Sequence, residues 1–233
     1  MTLSEQYAEI ARLAGGLAHE IKNPLSTILL NMELLAEDFD DINTPQGRRA
    51  LKKVGTVQKE CRRLEELLND FLDFARAHRL DLQPADLNHE IKEVLDFFRP
   101  KAEESKIEVV DYLASNLPTV SLDRRSFHRA MLNLVLNAQQ AMPQGGQLVV
   151  RTRPIGSDVV IDLIDTGCGM DAETLDRLFE TFYSTKRGGS GLGLPTARKI
   201  IDAHGGRMTV QSEQNCGTQF TITLPSLPRI ESQ

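Results

Sequence analysis

The stretch LAGGLAHEIKNPLSTILLNMELLAEDF, residues 13–39, carries apolar side chains at intervals of three or four positions. The same spacing starts at Leu3 and continues to Phe39, with one stutter around Ile21 where two intervals of four meet. Such a heptad pattern is typical of a long amphipathic helix that packs along another helix. Pro24 lies within the stutter, and because proline cannot donate the helical hydrogen bond, we expect a local kink there.

A second seam of the same kind runs from Ala50 to Ala75, after a polar break at residues 40–46. Two long helices joined by a short loop form an antiparallel hairpin. One hairpin leaves half of each apolar stripe exposed to water, so pairing of two copies into a four-helix bundle is the natural way to cover it. We therefore predict a homodimer through the hairpin and assign residues 1–80 to this helical unit.

The heptad pattern stops after Ala77, and a pattern of a different class begins at Asp86. Residues 78–86 are interpreted as a linker, and helical and alternating segments follow it. The predicted helices run from Asp86 to about Ser105, from Asp123 to Met142, and from Gly189–Leu194 to near His204. The predicted strands are Ile107–Tyr112, Gln147–Arg153, Asp158–Ile164, Arg207–Ser212 and Thr218–Leu224, with Pro154–Ser157 between the second and third. We predict an α+β chain in which residues 81–233 form an α/β sandwich with a mostly antiparallel or mixed sheet.

The charge and cysteine content exclude several classes of protein. The 233 residues carry a net charge of −6 and a pI near 5.5, which argues against a protein that mainly coats nucleic acid. Three widely spaced cysteines form neither a disulfide framework nor a zinc pattern, which favours a reducing compartment. Ala130–Val150 is too polar to cross a bilayer, and Met1–Glu20 lacks a signal-peptide pattern. We expect a cytoplasmic location, either free or attached to a membrane through a sensory segment outside this chain.

Two sequence motifs point to chemistry that their context does not support, and a third motif is missing. His19-Glu20-Ile21-Lys22-Asn23 begins like a zinc-protease helix, but Asn23 stands where the second imidazole is needed. Gly167-Cys168-Gly169 begins a G-x-G-x-x-A pattern, yet it follows a strand hairpin rather than the first strand of a dinucleotide-binding unit. The chain has no P-loop motif. A nucleotide site must therefore be built in another way.

Five blocks in chain order resemble the catalytic core of sensor histidine kinases. They are His19-Glu20-Ile21-Lys22-Asn23-Pro24-Leu25, Asn133-Leu-Val-Leu-Asn137-Ala, Asp165-Thr-Gly-Cys-Gly169, Leu178–Lys186 and Gly189-Ser-Gly-Leu-Gly193-Leu. The run Asn137-Ala-Gln-Gln-Ala-Met-Pro143 is most similar to the nitrogen-regulation-type branch. The resemblance implies a dimerisation and phosphotransfer hairpin followed by an ATP-binding domain of the Bergerat (GHKL) fold.

His19 is the predicted nucleophile. It lies two positions from Leu17 and two from Ile21 in the seam, so its side chain should face solvent, where a neutral imidazole can attack a γ-phosphoryl group. Glu20 can accept the other ring proton. Asn23 lies one helical turn beyond His19, and the resemblance implies that it orients water to remove phosphate from a partner's aspartate. A second interpretation of Asn23, as a structural partner of Pro24, is equally good.

Asn133 and Asn137 lie one turn apart in an otherwise apolar helix, so something must satisfy their amides. The resemblance places Asn137 on Mg²⁺ and Asn133 near the phosphates of ATP, and oxygen ligation suits that ion. Structural amides bonded to nearby backbone are the alternative. Many relatives carry a basic residue three positions after the second asparagine, where this chain has Gln140.

Asp165 ends a run of apolar strand residues, where a lone carboxylate needs a reason. The resemblance implies that it accepts a hydrogen bond from the exocyclic amine of adenine, and that Thr218 supports the base through water. Gly167 and Gly169 would let the backbone approach the base closely.

Residues 178–193 are predicted to form a mobile lid. Phe179 and Phe182 should anchor it on apolar surface, and Lys186 or Arg187 could supply a cation to phosphate. The remaining predicted phosphate-binding residues precede a helix N-terminus, where N–H groups suit phosphate oxygens; they are Gly188, Gly189, Gly191, Leu192 and Gly193. An ordinary glycine turn is the alternative. The other four histidines are interpreted as structural or surface residues.

The sequence therefore predicts ATP- and Mg²⁺-dependent phosphorylation of His19, followed by transfer to an aspartate on the receiver domain of a response regulator. Phosphatase activity on the regulator is also expected. One alternative is a GHKL ATPase or anti-sigma kinase, but those lack a His19 hairpin. Another is a dimeric scaffold that binds ATP and docks a regulator without productive autophosphorylation, or that acts chiefly as a phosphatase of the regulator.

Overall fold

The computed structural model describes residues 3–40, 44–75, 80–186 and 189–227. Side chains are described from Glu20 onward, apart from Asp40, Asp73 and Ala75 within the helices. The chain divides into a helical unit and an α/β unit, which differ in how completely they bury their apolar residues.

The helical unit consists of α1, Leu3–Asp40, and α2, Pro45–Ala75. Thr44 caps α2, since its side-chain oxygen accepts a hydrogen bond from Gly47 N at 3.1 Å, and Pro45 occupies the first helical position. The two helices pack along each other as the predicted hairpin. Helix α1 continues through Pro24, so proline does not end it.

Only part of the apolar seam is covered within one hairpin. Leu25, Val54 and Cys61 are buried. Five further seam residues are 37–51% exposed: Ile21, Ile28, Leu35, Val57 and Leu64. The seam from Leu3 to Leu17 lies outside the described side chains. The half-covered stripe is the pattern expected of a hairpin that pairs with a second copy.

The α/β unit contains four helices and seven strands in the described residues. In chain order they are β1 Gln83–Ala85, α3 Leu87–Glu104, β2 Ile107–Tyr112, β3 Val120–Leu122, α4 Arg124–Ala141, β4 Gly146–Ile155, β5 Asp158–Asp165, α5 Ala172–Arg177, α6 Gly193–Ala203, β6 Arg207–Glu213 and β7 Gly217–Pro225. Asp86 and Asp123 cap α3 and α4 with their carboxylates, as their positions in the sequence predict.

The main sheet has the strand order β2-β4-β5-β7-β6, and β1 pairs separately with β3. Strand β2 is parallel to β4, and the other pairs are antiparallel, so the sheet is mixed as predicted. Residues alternate between buried and exposed or half-buried along β7, so one face of the sheet is covered. Residues of α3, α4 and α6 join that face in one hydrophobic core.

Buried His204 joins the C-terminal end of α6 to the N-cap of α4. Its Nε2 accepts a hydrogen bond from Asp123 N at 3.0 Å, and its Nδ1 lies 2.8 Å from Ile200 O. Because the Asp123 N–H can only donate, this pattern assigns the neutral tautomer with the proton on Nδ1. The interpretation of His204 as structural therefore fits its contacts.

The structure differs from the sequence predictions at four places, and the first is β3, which is not among the predicted strands. The predicted linker at 78–86 contains β1, which pairs with β3 through Gln83 and Leu122. Strand β4 continues through Pro154 to Ile155, so the hairpin turn is only Gly156-Ser157. Helix α5 has no counterpart among the predicted helices, although Asp171 caps it through Thr174 N at 2.8 Å. No helix in the described ranges is both long and apolar enough to span a lipid bilayer.

Candidate functional site

His19, Glu20 and Asn23 all lie within α1. The predicted orientation of the His19 side chain falls outside the described side chains. Glu20 and Asn23 are exposed. Pro24 has no N–H, so the carbonyl of Glu20 lacks its regular helical donor one residue after His19. The helix therefore offers exposed polar groups in the turn that contains His19.

Asp165 lies at the last position of β5 and is only 4% exposed. Its Oδ1 accepts a hydrogen bond from Gly167 N at 2.8 Å. In the β5–β7 ladder Asp165 is directly opposite Thr218, which is also buried. A buried carboxylate and a buried hydroxyl thus lie side by side at one end of the sheet, as a site that reads a polar ligand requires.

The loop after Asp165 is held between two other elements. Cys168 N donates to Ala141 O, the last residue of α4, at 3.0 Å. Cys168 O accepts a hydrogen bond from Asn215 N, in the β6–β7 turn, at 2.7 Å. These two bonds fix the backbone of the loop and leave the Cys168 thiol exposed.

Both glycines of this loop are required by the protein's own packing. A Cβ at Gly167 would lie 2.8 Å from Ala141 Cβ and from Asp165 Oδ1. Gly169 has φ +62°, and a Cβ there would overlap the carbonyl of Glu213. The sequence predicts that these glycines allow close approach of a base, and the structure shows that they allow close approach of neighbouring protein atoms.

Ser212 is a site residue that the sequence analysis missed. Its Oγ accepts from Met170 N at 2.9 Å, donates to Gly217 O at 2.9 Å and lies 2.9 Å from Thr218 Oγ1. Because the single Ser212 proton goes to Gly217 O, Thr218 is the donor to Ser212. The signal was the position of Ser212 on the same face of β6 as Met208 and Val210, where a polar side chain needs partners.

Asn133 and Asn137 are half-buried on α4. Asn133 Nδ2 donates to Gly193 O at 3.1 Å, so this amide ties α4 to the first residue of α6. A Cβ at Gly193 would lie 3.8 Å from Asn133 Cγ. Asn137 lies one turn further along α4. The structure therefore brings Asn133 and Gly193 together, as the prediction of a shared site requires.

The segment between α5 and α6 is anchored differently from the prediction. Leu178 is buried, and Phe179 packs on the core with the Arg198 guanidinium 4.7 Å from its ring centroid. Phe182 is 67% exposed, so its predicted anchoring role is wrong. Its φ is +66°, and its N–H donates to Gly191 O at 3.1 Å. This backbone pairing turns the ring outward.

Gly191 and Leu192 lead directly into α6. Gly191 has φ +66°, and a Cβ there would lie 2.7 Å from Phe182 Cα. Leu192 is buried at the N-cap position, which has no side-chain cap. The first turn of α6 contains no acidic residue, and its N-cap position makes no side-chain hydrogen bond, which suits an anionic ligand. Lys186 is half-buried, Gly189 is exposed, and Gly189 N donates to Lys186 O at 3.2 Å; Arg187 and Gly188 lie outside the described residues.

Two family profiles match the chain in the order of its two units. The His Kinase A (phospho-acceptor) domain matches residues 9–79, and the histidine kinase-, DNA gyrase B- and HSP90-like ATPase matches residues 122–228. The chain is a histidine kinase catalytic core. The predicted family, the helical hairpin and the GHKL fold of the α/β unit are thereby confirmed, and the nitrogen-regulation-type branch stays a prediction.

Curated relatives of this kinase core are longer proteins. It is 34% identical over 225 residues to sensor histidine kinase ZraS of Escherichia coli (strain K12), covering 97% of this chain and 47% of ZraS. It is 32% identical over 217 residues to sporulation kinase E of Bacillus subtilis (strain 168), covering 93% of this chain and 28% of that kinase. The kinase core thus spans about half or less of these relatives.

Solved structures resemble the kinase core across both units. Full-length ShkA in complex with AMPPNP matches with a TM-score of 0.75 and 29% identity, over 92% of this chain and 45% of ShkA. Histidine kinase ThkA in complex with response regulator protein TrrA matches with a TM-score of 0.68 and 25% identity, over 97% of this chain and 65% of that chain.

Proposed function

We propose that this kinase core phosphorylates His19 from ATP and passes the phosphoryl group to an aspartate on the receiver domain of a response regulator. The observation that carries the proposal is that buried Asp165 and Thr218 lie opposite each other, next to the loop of Gly167 and Gly169. The same chain also has a phospho-acceptor hairpin. The relatives support it, since they are sensor histidine kinases and ThkA was solved with a response regulator.

The base of ATP is assigned to the end of the sheet at Asp165 and Thr218. Asp165 Oδ1 accepts a hydrogen bond from Gly167 N–H, and this bond holds the carboxylate in place. The carboxylate would accept a further hydrogen bond from the exocyclic amine of the base. Thr218 is oriented by Ser212 and supports the base through water. Gly167 and Gly169 shape this pocket by bringing the loop against Ala141 and Glu213. A carboxylate acceptor favours adenine over guanine.

The phosphates are assigned to the start of α6 and the side chains facing it. Asn133 contacts Gly193 directly. Asn137, one turn further along α4, is assigned to Mg²⁺ through its amide oxygen, a ligand type that suits this ion. The rest of the phosphate-binding set consists of Lys186, Gly189, Gly191, Leu192 and Gly193. The ion would neutralise charge on the triphosphate, and the residues orient it for in-line attack.

The chemistry on the hairpin is assigned to one helical turn. The His19 imidazole is the nucleophile, and Glu20 accepts the proton of its other ring nitrogen as positive charge develops. Asn23 would hold a water molecule for hydrolysis of the regulator's acyl phosphate. This role would give the kinase core its proposed phosphatase activity. Its exposure supports this role.

The domain boundary and assembly are part of the same proposal. Residues 1–80 form the phosphotransfer unit and residues 81–233 the ATP-binding unit, consistent with the profile limits at 79 and 122. The exposed seam residues of the hairpin support a homodimer. Three free cysteines are consistent with a reducing, cytoplasmic compartment.

A labelling experiment tests the proposal. The chain is incubated with γ-labelled ATP and Mg²⁺, and we expect acid-labile, base-stable label that disappears in His19→Ala. His89→Ala is the matched control, because this exposed histidine lies in α3 and should leave labelling unchanged. A wild-type chain that binds ATP but never takes label would support the scaffold alternative instead. Label that persists in His19→Ala would overturn the assigned nucleophile.

Two further variants separate the roles within the site. Asn137→Asp should weaken binding of Mg-ATP at least about tenfold, because a change from a neutral to an anionic ligand repels the triphosphate. Asn116→Asp makes the same change in an exposed turn and should leave the affinity unchanged.

Asn23→Ala should lower the rate at which a phosphorylated regulator is dephosphorylated, while His19 labelling continues. An unaltered dephosphorylation rate would make Asn23 a structural residue.

Mixed dimers test which subunit is phosphorylated. Neither His19→Ala nor Asn137→Asp should label efficiently alone, since one lacks the acceptor and the other the metal ligand. Label that returns when the two chains are mixed shows transfer across the dimer, and failure to return shows transfer within one subunit.

A further inference from the structure

Helices α3 and α4 bring together a cluster of three metal-ligating side chains away from the residues assigned to ATP. Glu90 and Glu93 lie one turn apart on α3, and His128 lies on α4. His128 Nε2 is 2.8 Å from Glu90 Oε2 and 3.6 Å from Glu93 Oε2. One donor atom from each residue lies within 4.8 Å of the other two.

The buried carboxylate of this cluster is incompletely satisfied. Glu90 is 1% exposed, and its Oε1 has no hydrogen-bond partner among the described residues. The Arg124 Nε lies 3.3 Å from that oxygen, but without hydrogen-bond geometry. Burying a polar oxygen without a hydrogen bond is costly, so the retained Glu90 Oε1 calls for an explanation, and a bound ion on the same carboxylate supplies one.

We propose that Glu90, Glu93 and His128 bind a divalent transition-metal ion such as Zn²⁺. The donor set of one imidazole nitrogen and two carboxylate oxygens is typical of such ions. Donor atoms about 2.0–2.2 Å from a tetrahedral Zn²⁺ lie roughly 3.3 Å apart. The two measured separations from His128 Nε2 bracket that value, so only small side-chain movements are needed, and a water molecule can complete the coordination.

Arg124 would compete with a metal ion for the Glu90 carboxylate. Arg124 is the nearest cation, and its side chain is 56% exposed, so it can move into solvent when the ion binds. His89 Nε2 lies 3.6 Å from Glu93 Oε1 on the outer side of the cluster, and it is 59% exposed. If the cluster is only a network of ion pairs, Arg124 stabilises the Glu90 carboxylate. If the cluster binds a metal ion, the positive charge of Arg124 weakens binding of that ion.

Binding would join α3 to α4. Helix α4 also carries Asn133 and Asn137, so an ion on His128 would fix the helix that the proposed function assigns to the phosphates. The site is separate from those residues, and its existence does not depend on phosphorylation of His19.

Titration with Co²⁺ tests this site, since the ion reports nitrogen and oxygen ligation through its visible absorption. The chain should carry Cys168→Ser and Cys216→Ser, because these exposed thiols would otherwise bind the probe. We expect His128→Gln and Glu93→Gln each to weaken Co²⁺ binding at least tenfold. Glu104→Gln, an exposed carboxylate near the end of the same helix, is the control and should change nothing.

Arg124→Gln separates an ion site from an ion-pair network. Loss of the competing guanidinium should tighten Co²⁺ binding several-fold, while His89→Gln should alter it less than threefold. Glu93 is 52% exposed, so Glu93→Gln should fold even if His128→Gln does not. Equal Co²⁺ affinity in the parent and in Glu93→Gln would overturn the proposal, as would unchanged affinity in Arg124→Gln. Labelling of His19 in the chain with its native cysteines, with and without Glu93→Gln, would show that such a failure leaves the proposed kinase activity intact.

Discussion

The hairpin and the α/β unit bury their apolar side chains to very different degrees. In the hairpin, seam residues such as Leu35 and Leu64 remain 37–51% exposed, and burial is limited to a few positions such as Leu25. In the α/β unit, Phe98 and Leu148 are at most 1% exposed, within one continuous core. The α/β unit buries a continuous apolar core within one chain. The hairpin leaves part of its apolar stripe exposed, as we expect of two helices that pair with a second copy.

This difference shows where each unit obtains its stability. Burial of apolar surface is the main favourable term in folding, so a helix pair with an open stripe gains much of its stability only when a second copy covers it. We therefore expect the same chemical change to have different consequences in the two regions. Three matched pairs of substitutions test this expectation.

A leucine pair should show the largest contrast. Leu95→Ala in α3 removes a side chain that is 1% exposed, and the cavity should lower the free energy of unfolding by about 2–5 kcal/mol. Leu64→Ala in α2 starts from 51% exposure and should cost far less at low protein concentration. Denaturant unfolding at several concentrations measures both. If Leu64→Ala lowers the free energy of unfolding more at higher protein concentration, the hairpin self-associates. If Leu64→Ala and Leu95→Ala lower it equally at every protein concentration, the comparison is contradicted.

A glycine pair should change stability in opposite directions. Gly169→Ala places a Cβ against the Glu213 carbonyl at φ +62° and should cost about 1–3 kcal/mol. Gly55→Ala in α2 meets nothing within 4 Å and should stabilise the helix by roughly 0.5–1 kcal/mol. Thermal unfolding of both variants gives the signs. A neutral Gly169→Ala would mean that the loop can move away from the β6–β7 turn.

A pair of N-caps should give the smallest effect and differ in pH dependence. Asp123→Ala and Thr44→Ala each remove one cap and should cost about 1 kcal/mol at pH 7. Burial alone would raise the pKa of Asp123, but hydrogen bonds from the N–H groups of Ser126 and Asp81 outweigh it and lower the pKa below its ordinary value.

The sign of the pH effect follows from that lowered pKa. The carboxylate of Asp123 stabilises the fold above its unfolded-state pKa of about 3.9, and this contribution is lost as the pH falls through the lower folded-state value. The gap between wild type and Asp123→Ala should therefore narrow below about pH 4, while the gap for Thr44→Ala should stay constant. Unfolding curves across that pH range measure both gaps, and parallel curves for the two variants would contradict the assigned cause.

Elements with strong local signals could be predicted from the sequence. Helix α3 starts after Asp86 and ends before Ser105, and β2 has its predicted limits, because caps and alternation are encoded within a few residues. Strand β1 has three residues, including Pro84, and exists because it pairs with β3, which lies far along the chain. Such pairing leaves no periodic signal in the segment itself.

The sequence singles out a candidate site residue where its type is rare in an ordinary structural role, as Asp165 is after an apolar run. The neighbouring glycines also serve the packing of the loop, so their presence in the sequence does not separate the two roles. Ser212 was missed because a serine on the inner face of a strand has many ordinary roles, and its contacts with Met170 and Thr218 are evident only in the structure. The outward Phe182 and the Glu90–His128 pair depend on backbone conformation and on contact between helices, which the sequence pattern does not encode.

The register of the central ladder limits how this kinase core can change in length. Asp165 and Thr218 face each other because every residue of β5 has a fixed partner on β7. Inserting one residue into β7 just after Thr218 would turn that side chain to the opposite face of the sheet, separating the two groups assigned to adenine. In its described residues the segment between α5 and α6 has no such ladder. A change in its length should therefore leave the register of the sheet intact and act on the residues assigned to the phosphates, whereas the same change in β7 should separate Asp165 from Thr218.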